Sequence, residues 1–281
     1  MKNLTIIIVT FNSALIIKSC LEKLNFDKYE IVVVDNASLD DTVEIVSKNF
    51  PKVKIIKSGK NIGYGRGNNL ALRQVKTEFS LILNPDAFIY EKDIENSLEI
   101  LKKDEKIALA STRIFSNEED FKAYKNSKEE FSETHFIVGG VMFMRSSIFQ
   151  KIGFFDEDYF MFAEDNELSD RAIENGYKNI IVNSAKALHI GGSSSKKSAK
   201  NTYRRFWHLG WSKSKYKSKR KGKVNFIRAT SRLVFIYFLE SIFYALIGNF
   251  NKAAGKIGFS YGCFAYLIGI KAFKKDGSPM V

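Results

Sequence analysis

Short, continuous apolar runs alternate with amphipathic stretches through the first hundred residues. Leu4–Thr10 is rich in Ile and Val, which are stiff at χ1 and pack well on a pleated surface, so it predicts a strand. Ala14–Leu24 then carries apolar residues at helical spacing. Glu30–Asp35 predicts a second strand, Asp40–Asn49 a helix, Val53–Lys57 a third strand, Gly67–Val75 a helix and Phe79–Leu83 a fourth strand. Strands apolar on both faces and separated by helices imply parallel βαβ units, whose right-handed crossovers gather the strand carboxyl ends on one side. Ligands bind on that side in open α/β sheets. The expected class is therefore α/β with a mostly parallel central sheet.

Beyond about residue 104 the rhythm loosens. Ile107–Phe115 and Ile137–Arg145 predict further strands, with a Lys/Glu-rich loop, Ser116–Thr134, between them. Glu164–Asn175 predicts a helix opened by two acids, where the helix dipole favours negative charge, and closed by Asn175-Gly176. Lys178–Asn183 is another expected strand. The last third differs in kind. No acidic residue occurs from Gly176 to Leu239, while Lys196–Arg228 holds thirteen Lys and Arg, as many as the +13 surplus of the whole chain. Leu233–Phe250 follows with Glu240 as its one charge, and then Ile257–Ile270, an apolar run punctuated by glycine. We expect a globular domain over 1–210 and a basic, apolar, helical extension over 211–281.

Composition narrows the class. With 45% hydrophobic and 27% charged residues the chain is globular, and 281 residues supply a sizeable core. Two cysteines make neither a disulfide framework nor a Cys-based zinc site, which points to a reducing cytoplasm. The amino terminus lacks the segments of a signal peptide. A surplus of positive charge implies a polyanionic partner.

The expected strand ends carry the chemistry. Strand one delivers Thr10-Phe11-Asn12, strand two Asp35-Asn36-Ala37-Ser38, and strand four Asn84-Pro85-Asp86. Such groups accept hydrogen bonds from a base or ribose, and a carboxylate beside a diphosphate can hold a divalent cation. Gly59–Asn69 is a glycine-rich lead into a helix that suits close approach to phosphate, but it has neither dinucleotide-binding nor Walker spacing. Phe160-Met161-Phe162-Ala163 brings an aromatic wall to Glu164-Asp165, with Glu167 beyond. A partly desolvated carboxylate there can act as a general base; simple acidic capping of the helix is the competing reading. His189 follows a strand end, where a lone histidine is ordinarily structural.

Taken in order, these segments resemble the inverting family 2 glycosyltransferases of GT-A fold, in their rhamnosyltransferase-like branch. The likeness covers about residues 3–210. It rests on Ile-Val-Thr-Phe-Asn, Val-Val-Asp-Asn-Ala-Ser-Leu-Asp, Asn61-Ile62-Gly63-Tyr64-Gly65, Leu83-Asn84-Pro85-Asp86, Gly139-Gly140-Val141-Met142-Phe143-Met144-Arg145, and Gly153-Phe154-Phe155-Asp156-Glu157 before Glu164-Asp165. The resemblance implies that Thr10, Asn12 and Asp35 line the nucleoside pocket, with Asp35 reading a pyrimidine, and that Asn61 and Asn68 border base and diphosphate. Asn36, Ser38, Gly63 and Asn84 complete the implied nucleotide-sugar set. Asp86 stands at the last position of the family's Asp-x-Asp motif, and Asn84 replaces the first Asp. Mn²⁺ or Mg²⁺ would then rest on Asp86, on His189 and on the donor diphosphate. Asp165 is implied as catalytic base, with Glu164 positioning it or the acceptor.

The same resemblance implies one sugar transferred from a nucleotide-diphospho-sugar, dTDP-rhamnose first and UDP-linked hexose or N-acetylhexosamine second, to a saccharide that can be lipid-linked. Arg204-Arg205-Phe206-Trp207 lacks the Gln-x-x-Arg-Trp motif of processive synthases. The basic, aromatic tail fits an anionic membrane surface at the inner face of the cell membrane, with Leu233–Phe250 read as an interfacial helix, a span or an ordinary packing helix. Nucleic-acid binding through Tyr203, Phe206, Trp207 and Trp211 is the rival reading, although no RNA-binding motif is present and no such partner is expected.

Overall fold

The computed structural model describes residues 2–125, 127–191 and 198–281, without side chains at 221 and 223–229. Parts of the basic segment Lys196–Arg228, and the residues just after Gly191, thus lie outside the described residues. The chain divides into two compact units. The first comprises Met1–Asn61, Arg66–Asp156 and Asp165–Ser194; the second comprises Ile62–Gly65, Glu157–Glu164 and Ser195–Val281.

The first unit is built on a nine-stranded sheet of the described residues. In chain order its elements are β1 (Leu4–Thr10), α1 (Ile17–Leu21), β2 (Glu30–Asp35), α2 (Thr42–Asn49), β3 (Lys54–Lys57), α3 (Tyr64–Leu72, entered from the second unit), β4 (Phe79–Leu83) and β5 (Ala87–Ile89). They continue with α4 (Glu91–Lys103), β6 (Ile107–Phe115), α5 (Glu118–Ala123), β7 (Phe131–Glu133), β8 (Val141–Arg145), α6 (Ser146–Ile152), α7 (Glu164–Glu174) and β9 (Lys178–His189). The spatial order is β3-β2-β1-β4-β8-β6-β9-β5, with β7 also on β9. β3, β2, β1 and β4 are mutually parallel, as are β6 and β9, whereas β8 runs antiparallel to both its neighbours. The carboxyl ends of β1, β2, β4, β6 and β9 and the amino end of β8 therefore share one edge. One apolar core, from Leu4, Ile6 and Ile8 through Phe79, Leu81 and Phe143 to Ile180 and Val182, fills the sheet's flank.

Two expected boundaries shift because backbone groups are spent elsewhere. The helix expected over Ala14–Leu24 shrinks to Ile17–Leu21: the Ser13 N–H donates to Thr42 Oγ1 (2.8 Å) and the Ala14 N–H to Asp40 Oδ2 (3.0 Å). The strand expected from Ile137 begins at Val141, since the Ile137 N–H donates to Ser169 Oγ (3.0 Å) and the Gly139 N–H to Asp165 Oδ2 (3.2 Å). The strand expected to stop at Asn183 instead runs to His189 through a register shift against β6. The loop Ser116–Thr134 holds α5 and β7.

The second unit contains α8 (Ala199–Lys221), α9 (Lys223–Leu246) and α10 (Phe250–Leu267). α8 runs without a break through residue 210. The glycines of α10 let it lie against α8 at backbone distance. A Cβ at Gly258 would meet the Tyr203 carbonyl oxygen at 2.6 Å, and one at Gly262 would collide with that of Trp207. Leu233–Phe250 is not one helix: α9 ends at Leu246, Gly248 turns at φ 75°, and α10 starts at Phe250. Among the described residues no helix is long and apolar enough to cross a membrane.

Candidate functional site

Asp35 ends β2 paired with Thr10 at the end of β1, and it is buried. Its carboxylate accepts the Ser38 N–H at 3.3 Å on each oxygen. Beside it the Asn36 N–H donates to the Thr10 carbonyl (2.8 Å), and Asn36 Nδ2 donates to Asn61 Oδ1 (3.1 Å). Asn12 stands at φ 53°, a region Asn tolerates, donates its N–H to Ser38 Oγ (2.9 Å) and accepts from the Leu39 N–H (2.8 Å). Thr10, Asn12, Asp35, Asn36, Ser38 and Asn61 thus form one hydrogen-bonded rim over the ends of β1 and β2. Asn68 is buried within α3, where a Cβ at Gly67 would touch Val9 Cγ1 at 2.9 Å, so this helix lies directly on β1.

A second cluster occupies the ends of β4 and β9. His189 Nε2 lies 3.1 Å from Asp86 Oδ1 and 3.2 Å from Asn84 Nδ2. The Asn84 N–H donates to the Gly140 carbonyl (2.9 Å), and a Cβ at Gly140 would come within 2.7 Å of the His189 ring, so a side chain there would displace the imidazole. Next door, the Gly139 N–H reaches Asp165, whose other oxygen accepts the Asn166 N–H at 2.9 Å. Lost solvation raises the Asp165 carboxyl above its ordinary value, while those two backbone donors oppose the rise. The dipeptide Gly139-Gly140 therefore bonds Asp165 with one residue and Asn84 with the other, and the second also leaves room for His189.

The Asp86 carboxylate is a ligand that suits Mn²⁺ or Mg²⁺, and the neighbouring His189 imidazole is a softer ligand that suits Mn²⁺ better than Mg²⁺. Their side chains, 9% and 20% exposed, are reachable from solvent. Among the described residues no group of three or more His, Cys, Asp or Glu is placed to hold a metal ion. Beneath the cluster, burial and then the Asp86 charge push the Cys20 thiol up to about 12, which leaves it unreactive.

Glu167 turns out to be a brace. It pairs with Arg171 (2.8 Å), and Arg171 also donates to the carbonyls of Ile152, Gly153 and Phe154. Asn69 completes the clamp by exchanging hydrogen bonds with the Phe155 backbone (2.9 and 3.1 Å). The Gly153-Phe154-Phe155 motif thus serves to hold its loop.

Gly63 and Glu164 belong to the second unit. Gly63 has φ 84° and sits against the Phe160 carbonyl, which accepts the Tyr64 N–H at 2.9 Å. Phe162 and Ala163 both adopt positive φ (69° and 65°), a strain of about 1–2 kcal/mol each that the surroundings must enforce. The enforcing groups lie on α8: Ser212 Oγ donates to the Met161 carbonyl (2.8 Å), Lys215 pairs with Asp158 (2.6 Å), and Phe160 packs with Trp207 and Trp211. Glu164 is buried at the end of this segment, directly before Asp165 in the chain. The sequence pointed to the aromatic wall without its support; the alternation of Trp207, His208 and Trp211 was the available signal.

His208 is buried with neither ring nitrogen hydrogen-bonded among the described residues, and its ring lies 4.3 Å from that of Phe160. Burial, then Arg204, lowers its pKa from 6.5 to about 3. Below pH 6.5 the unfolded chain takes up a proton that the folded one refuses, so stability falls as pH drops toward 3, by roughly 1 kcal/mol per pH unit. His208→Phe should flatten the acid limb of the melting temperature between those values; an unchanged limb refutes the buried neutral imidazole.

Comparison with known proteins decides the family. Residues 5–162, more than half of the chain, match the family described as Glycosyl transferase family 2, and residues 106–271 match Glycosyl transferase family group 2. The chain belongs to glycosyl transferase family 2. This family 2 chain is 28% identical over 192 residues to the low-salt glycan biosynthesis hexosyltransferase Agl10 of Haloferax volcanii, covering 60% of this chain and 61% of that one. It is 24% identical over 201 residues to the N-acetylglucosaminyl-diphospho-decaprenol L-rhamnosyltransferase of Mycobacterium tuberculosis (57% and 66% covered). To the rhamnosyltransferase WbbL of Escherichia coli it is 27% identical over 238 residues (73% and 89%). The chain spans less than two thirds of the length of the first two relatives. The mannosyltransferase PcManGT of Pyrobaculum calidifontis, solved with GDP-Man and Mn²⁺, shares the fold with TM-score 0.62 at 18% identity, covering 94% of this chain and 87% of that one. Staphylococcus aureus TarS 1–349 with UDP gives TM-score 0.55 at 18% identity (96% and 92%). The α/β, GT-A-type fold with a helical carboxyl-terminal region expected from the sequence is therefore the fold found.

Proposed function

We propose that the protein is an inverting transferase that moves one sugar from a nucleotide-diphospho-sugar to a hydroxyl of a saccharide acceptor, with dTDP-rhamnose as donor and a lipid-linked glycan as acceptor. The observation that carries this is the Gly139-Gly140 bridge, which sets one poised carboxylate, Asp165, beside the Asn84–Asp86–His189 cluster. The Asp35 rim, at the next strands of the same edge, would take the pyrimidine nucleoside. The relatives with rhamnosyltransferase names favour the donor, and the decaprenol in one of those names favours the acceptor class. A cytoplasmic enzyme working at the inner membrane face fits such an acceptor.

In this reading Asp165 Oδ takes the acceptor hydroxyl proton while that oxygen attacks the anomeric carbon. The bond to the diphosphate breaks on the opposite face, and the configuration inverts. A Mn²⁺ or Mg²⁺ ion on Asp86 and His189, when bound, would neutralise charge building on the departing diphosphate. Asn84 keeps the His189 ring oriented, and Gly140 leaves room for it.

A thermal-shift panel of UDP-, dTDP- and GDP-sugars, with and without Mn²⁺, tests the reading. The matching donor at a hundredfold excess over Kd should stabilise the fold by about 2.7 kcal/mol. The Mn²⁺-dependent part should vanish in Asp86→Ala. A panel in which no nucleotide sugar raises the melting temperature overturns the proposal; a shift with UDP-N-acetylhexosamine but not dTDP-rhamnose moves the donor to the second expected class.

A further inference from the structure

The geometry points to the outer face of α9 as the surface that seats this protein on an anionic lipid bilayer. α9 is amphipathic with its polarity turned inside out. Thr230 and Ser241 are buried on its inner side, Ser260 of α10 donates to the Val234 carbonyl (2.9 Å), and Glu240 is neutralised by Lys256 of α10 at 2.5 Å. Tyr237 packs inward on Phe259 with ring centroids 5.0 Å apart. The large apolar side chains point the other way. Phe235, Phe238, Leu239, Ile242, Phe243 and Leu246 recur at helical spacing and are 45–82% exposed. The stripe continues round the turn into Ile247 and Phe250, also exposed.

Water is the wrong solvent for that face. A contiguous apolar stripe of this kind marks an interaction surface. Charge then selects the occupant. Exposed Lys213, Lys217, Lys219 and Arg220 line the carboxyl half of α8, Arg232 stands on α9 and Lys252 on α10, while no acid occurs from Gly176 to Leu239. A second copy would bring equally cationic helices together, whereas anionic headgroups neutralise them at about 1 kcal/mol for each Lys or Arg near the surface. Ion-paired Glu240 faces α10 and leaves the stripe uncharged. α9 therefore lies in the interface plane with its aromatic face down, in the manner of monotopic helices. This goes beyond the transferase reading and does not depend on the sugar.

The test is flotation of the full chain with vesicles of phosphatidylcholine alone and of phosphatidylcholine mixed with phosphatidylglycerol. The wild type should float with the anionic vesicles, bind neutral ones at least about tenfold more weakly, and be released in part by high salt. Phe238→Glu with Ile242→Glu should weaken anionic-vesicle binding by at least about tenfold, because apolar burial is lost and the added charges are repelled. Lys217→Glu with Lys219→Glu, on α8, should remove the preference for phosphatidylglycerol without touching the stripe. Folding of each variant is checked by its melting curve and by its response to nucleotide sugars. That response also separates the two ideas: vesicle binding with no nucleotide response sinks the transferase reading alone. Equal flotation of wild type and both double variants overturns the seating, as does a wild type that ignores vesicles but loses a dimer in sedimentation when the stripe is mutated.

Discussion

Asp165→Asn should lower kcat by about 10²–10⁴-fold, the span that general-base assistance supplies, and leave donor binding nearly unchanged. Asn has the shape of Asp and keeps one carbonyl oxygen for the Gly139 or Asn166 N–H, so α7 and the 137–140 segment should hold their places. What disappears is the proton acceptor. Because burial raises the Asp165 carboxyl, the wild-type rate should fall with acid at a pH above the usual carboxylate range, where the base becomes protonated. In the Asn variant that acid limb should be absent. Single-turnover rates against pH, with the nucleotide-sugar melting shift measured in parallel, check both parts. A variant retaining more than half the wild-type rate eliminates Asp165 as the base.

Gly63→Ala has the largest expected effect on stability, about 2–5 kcal/mol, from a left-handed backbone forced on an L residue plus a Cβ driven into a carbonyl group. Gly63 stands at φ 84° and its missing side chain is replaced by the Phe160 carbonyl, with the carbonyl carbon 2.9 Å from where a Cβ would sit. Neither partner is a flexible side chain, so relief requires the backbone of 157–164 to move. The Tyr64–Phe160 hydrogen bond should be lost with it. Gly59→Ala supplies the control: φ is 76° but nothing lies within 4 Å, so only the backbone strain applies. A melting-temperature drop on the order of 10 °C at Gly63 should contrast with a much smaller one at Gly59. Equal drops at both positions would show that the Phe160 contact contributes nothing.

Much of the first unit was legible because its strands are buried on both faces. Leu4–Thr10, Glu30–Asp35, Phe79–Leu83 and Ile107–Phe115 appear in the structure with the expected ends, since a continuous apolar run has no alternative to the sheet core. The polar residues at those ends follow directly, which is why Asp35, Asn84 and Asp86 could be placed at one sheet edge from local pattern. Burial is a property no local pattern carries: Trp207 and Trp211, two of the four aromatic residues on which the nucleic-acid reading drew, are buried among the helices of the second unit.

Sequence alone determined that this is an α/β chain and which polar residues end its strands, because solvation of each residue type and the period of the backbone are local properties. Tertiary structure decided the rest. Strand direction at β8, the extension of β9 that carries His189 to Asp86, and the Gly139-Gly140 bridge to Asp165 all arise from backbone groups choosing partners distant in the chain. The same holds for α9, which the sequence left open between an interfacial, a spanning and a packing helix, and whose neighbours take the polar side and leave the aromatic side facing out. Pairing over long separations is a property of the assembled fold, and no window along the sequence contains both partners.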